Sequence, residues 1–122
     1  MHKSRLVAIG IDCQGADLDT CARFWSAALG RPVKEIEGKY AALEERPNQP
    51  IVFVQAVDHP SRVHLDIEAD DVEAEVARLE ALGAVRLQQV GTWWVMEAPT
   101  GQRFCVVKPQ LGPLTDDATT WP

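Results

Sequence analysis

From Val7 to Cys13 the chain alternates, with Val7, Ile9, Ile11 and Cys13 on one face, the period-two pattern of a strand covered on one side. Val63 to Ile67 alternates as cleanly and sets His64 and Asp66 opposite the apolar Val63, Leu65 and Ile67. Elsewhere the period lengthens. Leu18, Cys21, Ala22, Trp25, Ala28 and Leu29 trace one helical face after Asp17, and Gly30 followed by Pro32 stops it. A second helix is predicted from Asp70, with Glu73 completing a capping box, Val72, Val76, Leu79 and Leu82 as its stripe, acidic residues toward solvent and Gly83 closing it. Further strands are predicted at Val33 to Glu37, Tyr40 to Glu44, Ile51 to Val57, Val85 to Gln89, Thr92 to Glu97 and Arg103 to Lys108, punctuated by turns at Gly38, Pro47-Asn48, Gly91 and Pro99-Thr100-Gly101.

The order strand, helix, three strands therefore occurs twice. Asp70, Leu82 and Gly83 each follow Asp17, Leu29 and Gly30 by 53 residues, as an internal repeat requires. The expected organisation is one domain over residues 1–110, with a first module at about 4–58 and a second at about 62–109. An irregular tail is expected at 111–122, where Pro, Thr and Asp are frequent and Trp121 offers a strap for a partner.

Composition narrows the classes. In 122 residues, 46 % hydrophobic and 25 % charged, there is material for one globular domain and not for a disordered chain. A net charge of −6 with scattered basic residues argues against nucleic acid, and runs such as Ile51 to Val54 fall far short of the roughly 18 residues of a membrane helix. With no apolar leader after Met1, a soluble cytoplasmic protein is expected. Cys13, Cys21 and Cys105 are too widely spaced for a zinc knuckle, and Cys13 and Cys21 read as small buried hydrophobes. Phosphate-loop, dinucleotide and serine-elbow motifs are absent.

A βαβββ–βαβββ order with Phe24-Trp25, Leu29-Gly30, His64-Leu65-Asp66, Asp70-Asp71-Val72, Leu82-Gly83-Ala84 and Pro99-Thr100-Gly101-Gln102-Arg103-Phe104 resembles the vicinal oxygen chelate superfamily, in its glyoxalase-like branch. The resemblance implies an α+β fold of two βαβββ modules, the glyoxalase/bleomycin-resistance/dioxygenase type. It does not name a reaction, because that superfamily spans isomerases, lyases, epimerases, dioxygenases and non-catalytic binders. Metal-dependent members take one ligand from each of the first, fourth, fifth and eighth strands. Here those positions match Ala8 (or Leu6 or Gly10), Gln55 or Phe53, His64 and Cys105. Only His64, Gln55 and Cys105 offer a donor, and thiolate with imidazole suits zinc better than the metals of oxygen chelation.

Two readings stay open. In the first, a small aromatic or carbonyl-bearing molecule binds a concave face made by Phe53, Gln55, His64, Trp93, Val95, Cys105 and Val107, without the usual divalent metal. His64, Asp66 and Glu97 are then the candidate acid–base residues. In the second, a lyase, isomerase or dioxygenase uses a divalent metal held by His64, Gln55 and Cys105. Either way a homodimer is expected, because a half-barrel sheet leaves strand edges exposed.

Overall fold

The computed structural model describes residues 1–15 and 17–122. Its elements are β1 (His2–Gln14), α1 (Leu18–Leu29), β2 (Val33–Glu37), β3 (Tyr40–Leu43), β4 (Ile51–Val57), β5 (Arg62–Ala69), α2 (Val72–Ala81), β6 (Val85–Val90), β7 (Trp93–Glu97), β8 (Arg103–Val107) and β9 (Thr119–Trp121). No helix among the described residues is long and apolar enough to cross a membrane. The chain forms two compact units, one of Ala8–His64 and one of Met1–Val7 with Leu65–Pro122.

In the Ala8–His64 unit the strands lie in the order β2-β3-β4-β1, with β1 parallel to β4 and the other pairs antiparallel. Ile11, Cys13, Ala41, Leu43, Val52 and Val54 turn to one face, and α1 covers it with Leu18, Cys21, Ala22 and Trp25. The helix starts where Asp17 accepts the Asp19 amide and ends at Gly30, whose φ of +68° suits a residue without a Cβ. Burial, then the neighbouring Cys21 thiol and the charge of Asp12, push the Cys13 thiol up to about 12, so it stays protonated and serves as packing.

The second unit repeats the plan as β5-β8-β7-β6, with β5 parallel to β8. Even the irregularities repeat. Register shifts fall between Val33 and Glu35 in one module and between Arg86 and Gln88 in the other, again 53 residues apart. Here Ala69, Met96 and Val106 face α2, which contributes Val72, Val76 and Leu79. Fully burying side chains such as Val76 and Met96 contributes about 1.5–3 kcal/mol each.

Several expectations need correction. The α2 cap is Asp71, which accepts the Ala74 amide, while Asp70 instead accepts the backbone amide of Lys3. Glu73 makes no capping box; it accepts from Arg86 and from the Trp94 indole. Leu82 lies past the last helical residue and is 67 % exposed, so it leaves the stripe. Not every acidic residue of α2 faces solvent, since Glu75 is fully buried. The 111–122 tail is not wholly irregular: Thr119–Trp121 form β9 against the first residues of β1. Within the chain, the Trp121 indole N–H donates to Ser4 Oγ at 2.9 Å and the Arg78 guanidinium lies 3.7 Å over its ring. Val63 and Leu65, expected toward the core, are 56 % and 44 % exposed while His64 is buried.

Candidate functional site

The face of the Ala8–His64 unit away from α1 is the polar one. Register pairs Gly10 with Phe53 and Asp12 with Gln55 across β1 and β4, and Tyr40 with Gln55 across β3 and β4. Paired residues share a face, so Gly10, Asp12, Tyr40, Phe53 and Gln55 project together, opposite Ile11 and Val54. His64 joins them: its Nδ1–H donates to Asp12 Oδ2 at 3.0 Å. The imidazole meets the Phe53 ring edge-on, with centroids 5.5 Å apart and planes at 68°. Beyond Phe53 stands Tyr40 at 6.1 Å between centroids, and its hydroxyl accepts from Gln55 Nε2 at 3.3 Å.

The imidazole can sit here only because residue 10 is glycine. A Cβ at Gly10 would collide with His64 Cε1 and lie 2.6 Å from its Nε2 and 2.7 Å from Phe53 Cζ. The position therefore holds a close approach of ring to backbone. Asp12 is buried at 4 % exposure, and its Oδ1 has no hydrogen-bond partner among the described residues. Arg62 Nε and His59 Nε2 each approach the other oxygen, Oδ2, at 4.0 Å.

Phe53, Gln55 and His64 thus come together as neighbours on one face. Asp12 and Tyr40 belong with them and escape sequence reading. The signal for Asp12 is a carboxylate inside an apolar strand on the side of Ala8 and Gly10; for Tyr40 it is pairing with Gln55, which only the register reveals. The carboxylate on His64 Nδ1 is that of Asp12, which the expected acid–base residues do not include.

The remaining candidates lie in the other unit. Asp66 and Val95 are both register partners of Cys105, one on each flank of β8. Trp93, Glu97 and Val107 share that face by alternation, opposite the Met96 and Val106 that meet α2. Trp94 is on the helix side and donates to Glu73 at 3.0 Å. Glu97 Oε2 accepts from Arg103 Nε at 3.1 Å, an ion pair at the strand end.

The four-strand ligand set that the resemblance implies does not fit these residues. Leu6, Ala8 and Gly10 supply no donor, and the space over Gly10 is filled by the His64 ring. What the residues around His64 can do without a metal is present an imidazole, tied at Nδ1 to a carboxylate, beside an aromatic wall.

The sequence model of the family described as glyoxalase-like domain matches residues 8–107. No match emerges among curated proteins. Among solved structures, methylmalonyl-CoA epimerase from Mycobacterium tuberculosis is similar at 17 % identity and a TM-score of 0.66, over 86 % of this chain and 87 % of that one. A glyoxalase/bleomycin resistance protein/dioxygenase superfamily member from Vibrio splendidus is 19 % identical with a TM-score of 0.53, over 84 % and 98 %. An extradiol ring-cleaving dioxygenase from B. fuscum is 14 % identical with a TM-score of 0.60, over 85 % of this chain and 32 % of that one. At these identities the likeness carries the α+β fold and not the reaction.

Proposed function

We propose, for a chain that belongs to the glyoxalase-like domain family and to the vicinal oxygen chelate superfamily, that it binds a small aromatic or carbonyl-bearing molecule and uses His64 as its acid–base group, without requiring a divalent metal. The observation that carries this reading is the buried His64–Asp12 pair seated against the edge of Phe53. Burying an imidazole and a carboxylate costs several kcal/mol unless they pair, and apolar residues of similar volume stabilise a sheet at least as well. Such pairs cluster where protons are moved. Phe53 and Tyr40 supply the apolar wall; about 150 Å² of ligand ring removed from water contributes roughly 4 kcal/mol. Within the other unit, Trp93, Val95, Cys105 and Val107, with Asp66 and Glu97, are proposed in their own right as ligand-contacting residues on one face of its sheet. A carbon acid next to a carbonyl is the substrate class that fits an imidazole base, and one similar fold carries the name of an epimerase of a CoA thioester.

The test is solvent deuterium incorporation beside the carbonyl of aromatic ketones, 2-oxo acids and acyl-CoA thioesters, using metal-free protein. His64→Ala is expected to slow it ~100-fold or more while binding changes little. Binding that appears only on adding a metal, together with loss of metal uptake in His64→Ala, would overturn the reading. It would favour the second one, a metal-dependent lyase, isomerase or dioxygenase using His64 as one ligand.

We also propose a cytoplasmic homodimer. Cys13 and Cys21 are free thiols, which suits a reducing compartment. The edge strands β2 and β6 expose Ile36, Val85 and Leu87, the kind of edge that a second copy covers. Sedimentation is expected to give twice the 13.5 kDa chain mass at tens of micromolar, and a monomer would refute it.

A further inference from the structure

We propose that Asp12 is a positioning residue: its hydrogen bond decides which nitrogen of His64 carries the proton and aims the other one. The inference rests on His64 as the acid–base group and adds a residue from a different strand, 52 positions away. A carboxylate offers only lone pairs, so the 3.0 Å contact requires Nδ1 to be the donor, and the neutral ring then keeps its lone pair on Nε2. An imidazole left to water favours the opposite tautomer. The seat is fixed on two further sides. Nε2 lies over the β1 backbone, 2.6 Å from where a Cβ of residue 10 would stand, and the Phe53 edge closes on the ring at 5.5 Å. Hydrogen bond, missing Cβ and edge-on ring together set tautomer, rotation and depth.

A merely structural role explains Asp12 poorly. Its neighbours in β1, Ile11 and Cys13, pack against α1, and a strand built only to pack has no use for a carboxylate. Asp12 is 4 % exposed, with Oδ1 lacking a hydrogen-bond partner among the described residues, an arrangement that costs stability and needs a compensating use. Arg62 and His59 reach the same carboxylate, so it belongs to a charged cluster rather than to the apolar core.

The experiment is long-range proton–nitrogen correlation NMR of His64 in the full chain, without ligand, at a pH where the ring is neutral. The wild type is expected to show a protonated Nδ1 and an unprotonated Nε2. Asp12→Ala is expected to shift the proton to Nε2 and to lower the proton-exchange rate ~10- to 100-fold with KM unchanged. Asp12→Asn, whose amide oxygen accepts the same hydrogen, is expected to restore the wild-type tautomer. Should Asp12→Ala not fold, Asp12→Val fills the same space and carries the same test. A wild-type ring protonated on Nε2, or an Asp12→Ala ring that keeps its proton on Nδ1, overturns the inference. Because the tautomer is read without ligand, it is decided independently of the functional reading. The expected tautomer with proton exchange indifferent to His64→Ala would overturn that reading alone.

Discussion

Glu75→Ala is expected to lower the unfolding free energy by about 3–5 kcal/mol, the range for breaking a buried ion pair from one side. Glu75 is fully buried in α2, and its Oε1 accepts from His2 Nε2 at 2.7 Å. Arg78 grips both of its oxygens at 2.8 Å and then stacks on Trp121. Removing the carboxylate strands His2, which is 7 % exposed, and loosens the guanidinium that holds β9. Burial by itself would push the Glu75 carboxyl up, but hydrogen bonds from Arg78, His2 and Ser4 and the charge of Arg78 outweigh it and hold it at about 2. The folded value lies below the ordinary 4.5, so this contribution is present above that pH and is lost as pH falls toward 2. Integrated over the shift it is on the order of 3 kcal/mol. Urea unfolding of wild type and Glu75→Gln between pH 6 and about pH 2 reads it directly, since the wild type alone carries this slope. Parallel slopes, or an alanine variant within about 1 kcal/mol of wild type, would contradict the account.

Gly10→Ala is expected to cost about 1–3 kcal/mol and to weaken ligand binding at least ~10-fold. The added methyl falls on His64 Cε1 and Nε2 and on Phe53 Cζ. A loose side chain would swing away at little cost. This imidazole is instead tied to Asp12 and boxed in by Phe53, so either the hydrogen bond stretches or β1 shifts against β4. Thermal unfolding and ligand titration on the same samples test it. Wild-type stability with wild-type binding would show that the ring is not held where the structure has it.

The two predictions rest on residues that sequence reading treated in opposite ways. Gly10 is within view of the sequence only as one of three first-strand positions, with Ala8 and Leu6, that the family resemblance implies. What escaped was its partner, since nothing near Gly10 says that a histidine 54 positions later fills the space. Glu75 was expected in solvent on the general habit of helix acids, whereas His2 and Arg78 make its burial tolerable.

The same division runs through the whole chain. Period two, period 3.6, a helix start after Asp17, the stop at Gly30 and the 53-residue repeat are legible because each depends on residues within a few positions, whose backbone preferences and spacing are local. The two βαβββ modules follow from those, and the glyoxalase-like resemblance with them. The tertiary structure alone decided that Asp12 takes His64 Nδ1, that Glu75 is buried, that Thr119–Trp121 pair with β1, and that Val63 and Leu65 face outward while His64 faces in. A side chain's period says that it has two faces; which face is covered depends on an element tens of residues away, and the polar partners that make burial affordable lie equally far along the chain.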